Sequence, residues 1–179
     1  ILEGNMSQNE NIYIKFRDQA KELGNYPVDL LACVPPKLVV NDENQKQSLV
    51  GKHFQSKNIK VWDGTNNIIR KQFCRDKDEL RIVQYDSCRG LEGWTVFNYE
   101  MDEFWDYKFQ SFSSQDLQSD DLYTTKEELV KLMTAKWMLI PLTRAIDTVV
   151  INISNKDSIL KSELKKLSLK LDFVEWETI

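Results

Sequence analysis

Histidine and cysteine are scarce in this sequence, and their scarcity removes several chemistries at once. His53 is the only histidine, and Cys33, Cys74 and Cys88 lie far apart with no C-x-x-C spacing, so no zinc-site pattern is present. An odd, sparse set of thiols suits a reducing cytoplasm, the expected location. No apolar run approaches the roughly 20 residues that span a bilayer. The start, Ile1-Leu2-Glu3-Gly4-Asn5, has neither the basic nor the apolar region of a signal peptide, and without an initiator Met it reads as a fragment of a longer protein. A phosphate loop of the G-x-x-x-x-G-K-S/T type is also missing, so this chain is not expected to hydrolyse a nucleotide alone. No Asp-Glu pair follows a strand in a way that would hold Mg²⁺; Asp102-Glu103 comes nearest.

What remains is ordinary globular composition. The 179 residues are 41 % hydrophobic and 29 % charged, enough for one domain with a sizeable core. A net charge of −4 means that the domain as a whole does not attract nucleic acid, so strand binding would need a local basic patch.

Helical spacing of Ile12, Phe16, Ala20 and Leu23, stopped by Gly24, predicts a first helix. Val28 to Val34 predicts a buried strand ended by Pro35-Pro36, and Leu49, Val50 and Phe54 mark a second helix. Strands are predicted over Ile59–Trp62, Leu80–Tyr85, Trp94–Tyr99 and Thr148–Ile153, with a terminal strand over Asp172–Glu177. Thr125-Lys126-Glu127-Glu128 has the form of a capping box for a helix through Leu129, Leu132, Met133 and Trp137 that Pro141 should end. Ile159, Leu160, Leu164 and Leu167 predict a last helix. Residues 98–124 set seven acidic residues against Lys108 among scattered aromatics, which reads as an acidic surface insertion or a partner-docking loop. Strands alternating with helices predict an α/β fold whose largely parallel sheet binds ligands at the carboxyl ends of its strands.

Two strings carry the chemistry. Asp86-Ser87-Cys88-Arg89-Gly90-Leu91-Glu92 follows a predicted strand; Gly90 permits close backbone approach to a phosphate or sugar, and Glu92 can accept hydrogen bonds from a ribose. Taken alone, the string is weak evidence and reads first as a strand-to-helix turn with a solvated Arg and Glu. Leu142-Thr143-Arg144-Ala145 lies between the capped helix and a buried strand, where an arginine must pair with a carboxylate or point into a site.

In this order the strings resemble two motifs of superfamily 1 helicases, the UvrD-like and Rep-like group. Leu80 to Phe97 is similar to the fifth conserved motif, with Arg89 at its lysine position, and Ala135 to Ala145 is similar to the sixth, with Pro141 where a small residue is usual. Asn5, seven residues before Ile12, has the spacing of the fourth, but Met6 and Ser7 stand where the family has Tyr and Arg, so no role is assigned there.

The resemblance implies a RecA-like domain of the P-loop NTPase type over residues 1–179, helices on both sheet faces, the second of two motor domains and without its own phosphate loop. It implies Arg144 as a catalytic arginine finger, Gly90 beside the γ-phosphate, Glu92 at the ribose, Arg89 and Thr143 at the nucleotide, and Ser87 with Arg89 on the path to a single strand. ATP is the implied cofactor, with Mg²⁺ held by the N-terminal RecA-like domain of the same parent protein. The implied partner is single-stranded or duplex DNA, with RNA left open. Trp62 and Trp94 are candidate stacking platforms by residue type, with core roles the alternative. Two other readings fit the same residues: a degenerate RecA-like scaffold without ATPase activity, and an unrelated α/β nucleotide-binding domain.

Overall fold

Strand β2 (Leu31–Val34) is buried at all four residues, the pattern of a parallel strand covered on both faces. The computed structural model describes residues 1–42, 45–116 and 124–179 and places β2 inside a seven-stranded sheet. In chain order the remaining elements are β1 (Leu2–Glu3) and α1 (Glu10–Glu22) before β2. After it come β3 (Val39–Asp42), β4 (Gln45–Ser48), α2 (Leu49–Ser56), β5 (Val61–Asp63), β6 (Leu80–Gln84) and β7 (Gly93–Asn98). Then follow α3 (Met101–Ser113), α4 (Lys126–Leu142), β8 (Ala145–Ile153), α5 (Ile159–Ser168) and β9 (Glu177–Thr178). The sheet order is β5-β6-β2-β7-β8-β1-β9, and every pairing in it is parallel.

Alternation along the strands sends their side chains to two cores. Ala32, Val34, Ile82 and Phe97 meet Tyr13 and Ala20 of α1 and Val50 and Phe54 of α2 on one face. Leu31, Cys33, Val83, Val96 and Ile153 meet Met101 and Phe104 of α3, Met138 of α4 and Leu160 of α5 on the other. The α/β layering and parallel sheet expected from the sequence are therefore present.

Buried polar side chains fix how elements join. Asp63 accepts from the Ser48 amide and hydroxyl through one carboxylate oxygen and from the Thr65 amide and hydroxyl through the other, at 2.6–3.0 Å. Asp102 accepts from the Ser154 and Asn155 amides, tying the start of α3 to the end of β8. Asn152 donates to the carbonyls of Leu2 and Gly4 and accepts from the Glu100 amide, which holds β1 against β8.

Several boundaries differ from expectation. Residues 98–116 are not a surface insertion: they finish β7 and form α3, which buries Met101, Asp102, Phe104 and Lys108. Residues 117–123 of that segment lie outside the described residues. The polar stretch after Pro35-Pro36 forms the two-stranded β3–β4 ladder. The capping box is formed, with the Glu128 amide donating to Thr125 Oγ1 at 3.2 Å and the Thr125 amide donating to Glu128 Oε2 at 2.9 Å. Pro141 is buried inside the last turn of α4, and the helix ends one residue later at Leu142, so no further turn follows the proline. The terminal strand shrinks to Glu177–Thr178.

Candidate functional site

The two strings meet at one sheet edge. The Gly93 amide donates to the Arg144 carbonyl at 3.0 Å, and Gly93 then pairs with Ala145 as β7 and β8 begin. Residues 85–92 therefore do not lead from a strand into a helix. They leave β6 through a 3-10 turn, Tyr85–Ser87, and cross β2 to start β7. Parallel strands demand such a return. It brings Glu92 to the amino end of β7, while α4, running opposite to β8, brings Thr143 and Arg144 to the amino end of β8. Ligands are expected at the carboxyl ends of the strands, but of these residues only Asp86 and Ser87 leave a carboxyl end.

Arg144, Thr143, Arg89 and Gly90, with Leu139 and Ile140, line one cavity of about 330 Å³. Thr143 Oγ1 donates to the Leu139 and Ile140 carbonyls at 2.9 and 3.1 Å. Arg144 Nε donates to the Ile140 carbonyl at 3.1 Å and one Nη to Thr143 Oγ1 at 3.1 Å. The guanidinium is folded against the carbonyl end of α4, where the helix dipole favours a cation, and it has no carboxylate partner among the described residues. Three of its five N–H donors remain.

Arg89 lies over the Trp137 ring at 4.6 Å. Lys108 Nζ lies over the same ring at 3.8 Å and pairs with Asp86 Oδ1 at 2.7 Å. Trp137 thus joins the turn at 86–89 to α3 and α4, a role no local pattern announces. That Lys108 is the only base in an acidic stretch was the one available hint. Gly90 has φ +78 with open space where a Cβ would stand, so its backbone is approachable from the cavity.

The cysteines flanking this turn are free thiols in the core. A hydrogen bond to Cys88 and burial push the Cys33 thiol well above its ordinary range, whereas that bond and the nearby Arg144 charge draw Cys88 down.

Not every expected residue joins the cavity. Glu92 shares the sheet edge with Arg144 but lines a different, larger concavity with Trp62 and Arg81, and its carbonyl accepts from Arg81 Nη2 at 2.6 Å. No sequence pattern marks that concavity. Ser87 is half-buried at the carboxyl end of β6. Asn5, accepting from Ser7 Oγ at 2.8 Å, follows the carboxyl end of β1, whose partner residues lie at the far end of β8 from Arg144. Trp94 is half-buried against the α1–α2 core and Trp62 is half-buried against the opposite core, where it also borders the larger concavity.

No group of three or more His, Cys, Asp or Glu side chains gathers into a metal site among the described residues. No helix among them is long and apolar enough to cross a membrane. Compared with known proteins, the chain matches no family model, no curated protein and no solved structure.

Proposed function

We propose that this chain is the C-terminal RecA-like motor domain of an ATP-dependent superfamily 1 DNA helicase. The observation that supports it is the convergence of Arg89, Gly90, Thr143 and Arg144, more than fifty residues apart in sequence, on one cavity. Two guanidiniums and an open glycine backbone form a donor set suited to phosphate oxygens carrying spread charge. ATP supplies the phosphoryl group whose loss drives the motor. Among the described residues no carboxylate lines the cavity, so the residues here do not fit Mg²⁺, in keeping with a metal held by the N-terminal motor domain of the same protein.

On closure between the two motor domains, Arg144 exchanges its bond to the Ile140 carbonyl for a γ-phosphate oxygen and stabilises the charge that develops there. Thr143 holds the guanidinium at the cleft edge and Gly90 presents its backbone, while Glu92, which lines the other concavity, takes no part at the phosphate. Arg89, backed by Trp137, and Ser87 carry the closing motion toward a single strand. The full-length protein should hydrolyse ATP and do so faster with single-stranded DNA; no turnover with or without DNA would reject the proposal.

One observation favours the scaffold alternative: both cavity arginines already have partners, Arg144 on helix carbonyls and Arg89 on Trp137. In that case the full-length protein binds its partners without any ATP turnover.

A further inference from the structure

The concavity on the β5–β6 side is the larger of the two, about 580 Å³, and none of the helicase-like motif residues singled out for a role except Glu92 belongs to it. Its walls combine two flat aromatic rings with three cations. Trp62 stands on β5, its indole N–H donating to the Gln72 carbonyl at 3.2 Å and its ring packed over Gly64, where any Cβ would come within 2.5 Å of it. The turn that supplies Gln72 also supplies Arg70, Lys71 and Phe73. Phe73 is 90 % exposed, the most exposed large hydrophobic side chain among the described residues, so its ring is open to a ligand.

Arg81 forms the floor. Its guanidinium makes one hydrogen bond among the described residues, to the Glu92 carbonyl, and its Nε is buried with no partner. A desolvated guanidinium with donors left over is costly unless an anion completes it. Two carboxylates face the same space. Asp29, which accepts from the Tyr26 amide at 2.8 Å and lies near enough to Arg81 to act on its charge, and the exposed Glu92 offset two of the three cations, so the lining keeps a single net positive charge. Beyond the rim, Lys60 is neutralised by Asp76 at 2.7 Å and Lys77 covers the Tyr26 ring at 4.5 Å. Glu79 accepts from the Cys74 thiol of the lining at 3.3 Å, so this is an aromatic patch whose cations are concentrated at Arg70, Lys71 and Arg81.

We propose that this concavity and its 69–73 rim bind a single-stranded polynucleotide, with bases stacked on Phe73 and Trp62 and phosphates held by Arg70, Lys71 and Arg81. A single strand is the occupant because only unpaired bases offer their faces to aromatic rings, and every base has one. A duplex would meet the cations but leave Phe73 without a role. The choice of DNA as the probe rests on the motor proposal; the site itself rests on the patch.

The test is fluorescence anisotropy of a labelled oligothymidylate of about 16 nucleotides, titrated with the chain across a salt series. Arg70→Ala/Lys71→Ala should weaken binding about 10-fold or more and lower the salt slope by about two phosphates. Phe73→Ala should weaken it roughly 5- to 100-fold without changing the slope, and Phe73→Trp should restore it. Lys165→Ala/Lys166→Ala on α5, with the same loss of charge, should bind as wild type does. Wild-type affinity in both the Arg70/Lys71 and Phe73 variants would overturn the site, as would displacement of the oligonucleotide by an equimolar mononucleotide. The two proposals fail separately. A full-length protein without ATP turnover whose chain still shows this variant pattern loses only the motor proposal, and turnover with unaffected variant binding loses only the strand site.

Discussion

The Gly93 amide donates to the Arg144 carbonyl at 3.0 Å. This bond is the first rung between β7 and β8, and it places the turn around Gly90 and the loop holding Arg144 on one edge. Arg144 needs no long reach to share a cavity with Gly90, since their strands begin side by side.

Trp137, flanked by Arg89 and Lys108, makes the 86–89 turn depend on α3. Asp86→Asn leaves a mostly buried Lys108 ammonium without its countercharge and should destabilise the chain by about 1–3 kcal/mol in urea unfolding. Lys108→Met in the same background should recover part of that loss. Additive losses in the double variant would show that the pair is not coupled.

Gly51 is a packing glycine. A Cβ there would sit 2.7 Å from Ser48 Oγ and 2.8 Å from Asp63 Oδ2, two atoms already bonded to each other. Gly51→Ala should therefore cost about 1–3 kcal/mol by the same measurement. Gly90→Ala meets no atom and has only its left-handed backbone to strain, so it should cost about 1–2 kcal/mol.

Asp102 is fully buried and takes the Ser154 and Asn155 amides. Asp102→Ala strands both donors and should remove about 3 kcal/mol, with faster amide exchange at Ser154 and Asn155. Unchanged exchange at those two amides would show that they have other partners.

Glu10 is held at about 2, well below its ordinary 4.5, by a hydrogen bond from His53 and also by Lys57. A carboxylate depressed on folding stabilises fully above its unfolded value and loses that contribution as pH falls from about 4.5 toward 2. The unfolding midpoint of Glu10→Gln should thus fall less steeply over that window than that of the wild type. Parallel acid limbs would remove Glu10 from the acid response.

The strands and helices with strong periodicity were legible in the sequence because burial follows alternation directly. β6, β7 and β8 lie close to their expected bounds, and Thr125 and Glu128 announce the start of α4. α3 was not legible. Its buried stripe, Met101, Phe104 and Lys108, has helical spacing, but Asp102 and Lys108 are buried only because Ser154, Asn155 and Asp86 satisfy them from distant elements. The site was half legible. Arg89, Gly90, Thr143 and Arg144 do share a cavity, yet its edge depends on which way 85–92 returns across β2, and no local pattern specifies that path. Trp137 and Arg81 were missed for the same reason, since their meaning comes from partners far away in sequence.

The most direct test of the motor proposal is DNA-stimulated ATP turnover by the full-length protein carrying Arg144→Ala, measured beside nucleotide binding. An arginine completing the phosphate site predicts that turnover falls by roughly three to five decades while nucleotide still binds. Turnover equal to wild type would contradict it and return Arg144 to capping the last turn of α4.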